Sequence, residues 1–187
     1  MKKWLMVIVL TLMAQTTSAS DLLLRSNQYD FEFKKYQKMY LPAYDWRLIK
    51  AQCWQESRFR LDALSPVGAR SICQFMPGTF KDVQDQLGLP MANPWDPKLN
   101  IMFASFYMSR LNSFWKFERP HTDRVSLALA SYNAGAGHLV KAQKLCGGSV
   151  YYGDIIRCLP KVTGHHSKET IGYVTNIWGF FILLLVN

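Results

Sequence analysis

Apolar residues recur three to four positions apart over several separate stretches of the chain, the spacing of a single buried helix face. Around residues 30–40 the stretch containing Phe31, Phe33, Tyr36 and Tyr40 predicts a helix, which Pro42 interrupts. Asp45 is placed to cap a second helix running to about Ser57, with Leu48, Ile49, Cys53 and Trp54 turned inward. The turn-rich segment Ser65-Pro66-Val67-Gly68-Ala69 follows, then a short apolar piece from Ile72 to Met76 closed by Pro77-Gly78. Helical patterns then cover Thr79–Leu87, Pro97–Trp115, Asp123–Tyr132 and His138–Leu145, the last two separated by Asn133-Ala134-Gly135-Ala136-Gly137. Residues 146–166 read as loop with one helical turn. Ser167 is expected to cap a last helix from Lys168 to the C-terminus. With no internal repeat and no low-complexity linker, the pattern predicts one mostly helical domain.

The first residues break this pattern. Lys2 and Lys3 precede an apolar stretch from Trp4 to Met13, and small and polar residues lead to Thr17-Ser18-Ala19. That order matches a signal peptide cleaved after Ala19, and the apolar stretch is short for a span of about 20 residues. The chain is therefore expected to be exported to the periplasm. Apolar residues make up 49% of the chain and charged ones 19%, a globular balance that excludes a disordered protein. The formal charge is +9; removing Lys2 and Lys3 leaves 20 basic against 13 acidic residues, or +7. This excess suits an anionic partner such as a membrane surface or the carboxylate-bearing peptides of a bacterial wall. No Lys/Arg run or aromatic-basic repeat indicates nucleic acid.

Four cysteines, Cys53, Cys73, Cys146 and Cys158, follow the leader. In an oxidising compartment an even count points to disulfides, and four cysteines allow three pairings. Cys146–Cys158 is the local choice, closing a short Gly-rich loop, and Cys53–Cys73 is what it leaves. There is no CxxC pair, and His165-His166 is only an adjacent pair, so no metal site is expected.

Among the titratable residues, Glu56 stands near the C-terminal end of its predicted helix, where the macrodipole disfavours a carboxylate. Trp54 and Phe59 are close enough in sequence to supply an apolar wall. Both effects push a carboxyl toward staying protonated near neutrality, the state needed to protonate the leaving oxygen of a glycosidic bond.

The residues around Glu56 carry a more specific signal. Gln55-Glu56-Ser57-Arg58-Phe59, Ala63, Ser65-Pro66-Val67-Gly68-Ala69, Gln74 and Met76-Pro77-Gly78-Thr79 resemble the catalytic domain of lytic transglycosylases, related to goose-type lysozyme. The resemblance continues in order through Asp96-Pro97, Asn100-Ile101, Tyr107, Ala130-Ser131-Tyr132-Asn133-Ala134-Gly135, Glu169-Thr170 and Tyr173-Val174. It implies a mainly α, lysozyme-like α+β fold, with a small β or extended segment by the active-site groove. It implies Glu56 as catalytic acid and base, and Ser65 and Gln74 as residues reaching the sugar or the acid. Met76, Tyr107, Tyr132 and Asn133 become groove residues, Tyr173 a tyrosine approaching Glu56, and Glu169 a buried structural acid of the last helix. The implied organisation is a signal peptide over 1–19, a helical extension over 20–44, the catalytic domain over 45–178 and an apolar tail over 179–187. Ser71 replaces a glycine usual in the family, Ile72-Cys73 replaces Leu-Met, and Cys53 stands where a small Ala is common. Two unusual cysteines in one motif region favour pairing them with each other.

The implied reaction cleaves the β-1,4 bond between N-acetylmuramic acid and N-acetylglucosamine in glycan strands, leaving a 1,6-anhydro end, by a monomer without cofactor. Its rivals are a hydrolytic goose-type lysozyme and an inactive wall-binding module of a phage or secretion apparatus. Beyond Tyr173, residues Ile177 to Val186 contain no charge. Ten helical residues reach about 15 Å, half of a hydrocarbon layer, so the run is expected to touch a membrane peripherally instead of crossing it.

Overall fold

The computed structural model describes residues 19–187. The expected leader, apart from Ala19, lies outside the described residues. Within them the chain forms α1 (Ala19–Arg25), α2 (Asp30–Tyr40), α3 (Arg47–Ser57), α4 (Pro77–Gln86), α5 (Pro97–Phe114), α6 (His121–Ala134) and α7 (Ala136–Leu145). Two short helices follow, α8 (Tyr152–Cys158) and α9 (Pro160–Thr163), then a 3-10 turn over Gly164–His166 and α10 (Ser167–Val186). The mainly helical, lysozyme-like class expected from the sequence is the observed one.

Helix α3 is the centre of the domain. Leu48, Ile49, Ala51, Cys53 and Trp54 are buried on it, and so are the polar Lys50 and Gln52. On a helix covered on most of its sides a polar group is costly unless it finds a partner inside the protein. Lys50 does so with Asp30 of α2, Nζ to Oδ1 2.6 Å, which fastens the two helices. Asp45 accepts from the Arg47 N–H at 2.8 Å just ahead of α3. Helix α10 packs along α3, and α5 lies against both α2 and α6. At the start of α5 the Asp96 side chain accepts from the N–H groups of Lys98 and Leu99, and Pro97 occupies the first turn. Helix α6 buries Val125, Leu127, Ala128, Leu129 and Ala130, consecutive positions that only an interior helix can hide.

Two expectations need correction. Residues 146–166 are not loop with a single turn: they form α8, α9 and the 3-10 turn. Such short helices do not stand on propensity. Here Ile155, Ile156 and Leu159 are buried, and the Cys146–Cys158 disulfide ties α8 to the end of α7. The extended segment by the groove is also slighter than expected. Among the described residues no strand forms, only isolated bridges pairing Leu64 with Arg70 and Arg70 with Phe75.

Candidate active site

Helix α3 stops immediately after Glu56 and Ser57. Arg58 closes it in the left-handed region, φ 56°, its N–H donating to the Trp54 carbonyl, and Phe59 follows at φ 59°. The chain then winds through residues 60–76 as a loop stitched by its own polar groups. Gly68, at φ +89°, completes the turn begun at Ser65; a Cβ there would meet only ordinary contacts, so conformation and not space calls for glycine. Ser65 Oγ accepts from the Ala69 N–H at 2.9 Å. Gln74 Nε2 donates to the carbonyls of Ala63 (3.0 Å) and Ser71 (2.8 Å). Three links fix this loop to the helices: the Cys53–Cys73 disulfide, Ser57 Oγ donating to the Ile72 carbonyl at 2.9 Å, and Tyr132 Oη donating to the Cys73 carbonyl at 2.8 Å.

Glu56 is partly buried at the junction of α3, α6 and α10. Tyr173 of α10 donates its hydroxyl to Glu56 Oε1 at 2.6 Å. Burial raises the Glu56 pKa to about 8; the Tyr173 hydrogen bond works against that rise and the charge of Glu169 adds to it. Glu56 is thus a protonated acid at neutral pH. Burial, then the neighbouring Glu56 charge, also pushes Tyr132 and Tyr173 well above the ordinary tyrosine value, so both keep their O–H donors.

Tyr132 and Asn133 come from the end of α6, which Gly135 terminates at φ +85°. Tyr107 of α5 packs its ring against Tyr132, centroids 5.5 Å apart, with Phe75 beneath both. Asn133 Nδ2 donates to Glu169 Oε1 at 3.3 Å, and Asn133 Oδ1 accepts from Thr170 Oγ1 at 2.7 Å. The structure therefore gathers Glu56, Tyr173, Tyr132, Tyr107 and Asn133. Ser65 and Gln74 direct the bonds described above into the loop itself, and Met76 is exposed ahead of α4. Glu169 is a correction: it is exposed, not buried, because the first turn of α10 opens onto a cavity of about 400 Å³ that it lines with Asn133, His138, Thr163, His166 and Thr170. Trp54 and Phe59 pack edge-on against each other at 5.2 Å and join an aromatic cluster with Tyr29 and Phe33.

Sequence reasoning missed Gln52, His138 and His166. Gln52, four residues before Glu56, is fully buried, a polar residue on a helix face otherwise committed to the core. That spacing was the available signal. His166 meets His138 of α7 at the cavity because α9 and the 3-10 turn fold back, which no local pattern announces.

The transglycosylase SLT domain matches residues 33–150. The membrane-bound lytic murein transglycosylase F of Pseudomonas fluorescens (strain Pf0-1) is 31% identical over 173 residues, covering 89% of this chain and 34% of that relative. The chain thus spans about a third of that relative's length. Among solved structures, an inactive glutamate-to-glutamine mutant of the lytic transglycosylase Slt from Pseudomonas aeruginosa superposes with a TM-score of 0.68 at 27% identity, covering 85% of this chain and 24% of that one. The 70 kDa soluble lytic transglycosylase of Escherichia coli superposes at 0.67 with 24% identity, covering 88% and 25%, a likeness of fold.

Proposed function

Because the chain belongs to the transglycosylase SLT domain family, we propose that it cleaves the β-1,4 bond between N-acetylmuramic acid and N-acetylglucosamine in peptidoglycan strands. The observation that carries this is one carboxyl, Glu56, held protonated to about pH 8 by burial and oriented by Tyr173 at 2.6 Å. Two-carboxylate glycosidases need a second, ionised group across the bond. Asp62 is exposed in the loop and Glu169 is bonded to Asn133. A single acid suits a route in which the substrate supplies the second function. Glu56 gives its proton to the glycosidic oxygen, the C1–O bond breaks, and the muramoyl N-acetyl group supports the cationic centre. The Glu56 carboxylate then takes the proton of the muramoyl 6-hydroxyl, whose oxygen closes on C1. The product is a 1,6-anhydro end, with no water consumed and the acid regenerated.

In this reading Tyr132, Tyr107, Asn133 and Met76 line the groove for the sugars, and Ser65 and Gln74 shape the loop that faces it. The catalytic domain is assigned to residues 45–178, with 20–44 as a helical extension, 179–187 as an apolar tail and 1–19 as an export signal to the periplasm, where disulfides form. The protein acts as a monomer. Digestion of purified murein, with mass analysis of the muropeptides, tests the reaction. Native protein is expected to give anhydro ends; Glu56→Gln should lower the rate about 100- to 10,000-fold without unfolding the domain. Incorporation of heavy oxygen from labelled water into the new ends would identify a hydrolytic lysozyme instead.

A second proposal concerns the end of α10. Trp178 Nε1 donates to Ser126 Oγ at 3.0 Å, Arg58 covers the Phe180 ring, and Leu184 is buried, so the helix stays docked almost to its last turn. Ile182, Leu185 and Val186 nevertheless remain exposed. We infer that this apolar end rests on a membrane surface. The twelve helical steps from Tyr173 to Leu185 would hold the acid about 18 Å from that contact.

A further inference from the structure

Gln52 lies on α3 one turn before Glu56, so the two side chains project on the same side of the helix. It is fully buried, and neither its Nε2 nor its Oε1 makes a well-formed hydrogen bond. An unpaired amide inside a protein is costly, and an apolar side chain of similar volume would avoid that cost. The helix that covers α3 here is α10, which brings Tyr173 onto Glu56 Oε1 at 2.6 Å. The Tyr173 hydroxyl donates its only hydrogen to Glu56, which leaves its oxygen lone pairs open. The Tyr173 hydroxyl is the group that Gln52 approaches as a donor, without meeting full hydrogen-bond geometry.

We propose that Gln52 is a positioning residue that holds the Tyr173 hydroxyl against Glu56, the three forming one relay from amide to phenol to carboxyl. The inference rests on the reading of Glu56 as the acid. A small closure brings Gln52 Nε2 into donating contact with Tyr173 Oη, and this polarises the O–H that Tyr173 directs at Glu56. The relay matters most after Glu56 has given up its proton, because the carboxylate is the stronger acceptor. It therefore favours release of the proton and holds the carboxylate in place for its second role as base. Glu169, across from Glu56, acts in the opposite sense by repelling that charge.

The test is an infrared titration of the Glu56 carboxyl, assigned by subtracting the spectrum of the Glu56→Gln protein, together with the alkaline limb of wall cleavage. Gln52→Met, which keeps the volume and removes the amide, is expected to fold normally and to raise the carboxyl midpoint by about half a pH unit. Tyr173→Phe should raise it further. In the Tyr173→Phe background, Gln52→Met should add nothing. An unmoved midpoint in Gln52→Met, or an equal rise with Tyr173 absent, overturns the relay; Gln52→Leu gives the same reading should the methionine disturb packing. The reading of Glu56 as acid fails separately, if the carboxyl midpoint moves and the activity limb does not follow it.

Discussion

Replacing Glu56 with glutamine should make the domain more stable while removing its activity, and the gain should depend on pH in a defined way. The Glu56 pKa rises from 4.5 in the unfolded chain to about 8 in the folded one. Below pH 4.5 the carboxyl is neutral in both states and adds no difference. Between pH 4.5 and about 8 the unfolded chain ionises and the folded one does not, so the folded state binds one more proton and loses stability as pH rises. The slope is about 1.4 kcal/mol per pH unit, with a ceiling of about 5 kcal/mol above pH 8. The carboxyl is only partly buried, so solvent screening lowers this to about 3 kcal/mol. Glutamine carries no such penalty, and its side-chain carbonyl can still accept from Tyr173. Urea unfolding of native and Glu56→Gln protein at pH 4, 6 and 8 isolates the effect, because every other titration cancels between them. The difference should be small at pH 4 and grow steadily toward pH 8. A difference constant across that range would show that Glu56 is not a suppressed acid, and the proton-donor argument would go with it.

Ser71 sits at φ 61°, fully buried, with its hydroxyl unpartnered. Ser71→Gly relieves both the left-handed strain and the unpaired group, offset by glycine's greater freedom when unfolded. We expect a gain of about 1 kcal/mol and a Tm rise of about 3 °C by calorimetry, and a fall in Tm would refute the strain argument. At the end of α10, changing Ile182, Leu185 and Val186 together to serine should weaken co-sedimentation with anionic phosphatidylglycerol vesicles about tenfold or more while leaving murein cleavage intact. Unchanged vesicle binding would remove the membrane proposal.

Much of this molecule was legible in its sequence where helix period and core coincide. Helix α2 and the span of α5 follow from apolar spacing, and α3 from Leu48, Ile49, Cys53 and Trp54. The approach of Tyr173 to Glu56 could be expected only from family resemblance, because 117 positions separate them and no local rule connects them. Residues 152–166 were missed for a different reason. Their helices are too short to declare a period, and they exist because Ile155, Ile156 and Leu159 find a core and Cys158 finds Cys146. Glu169 was misjudged because the family resemblance implied burial at its position in the first turn of α10. What that position does not reveal is that the turn faces a cavity, with Asn133 as its partner.

The backbone strain of this protein is concentrated beside its acid. Every non-glycine residue at positive φ among the described residues lies between Arg58 and Gln74, and the unpaired amide of Gln52 and the suppressed acid Glu56 directly precede them. The pattern is that of strain held at a site by its surroundings. The holding elements lie in the same place. The Cys53–Cys73 bond, the Ser57–Ile72 hydrogen bond and the Tyr132–Cys73 hydrogen bond all bind the irregular loop to α3 or α6. A loop with only isolated bridges could not otherwise keep a fixed face toward Glu56. Two of these three ties end on Cys73, one on its sulfur and one on its carbonyl, and the third attaches to the carbonyl of its neighbour Ile72. Ser71, at φ 61°, adds strain to the same turn. The disulfide and the two hydrogen bonds thus hold a strained loop in place, and strain and ties belong to one local solution: a rigid wall beside an acid that pays in stability for its proton.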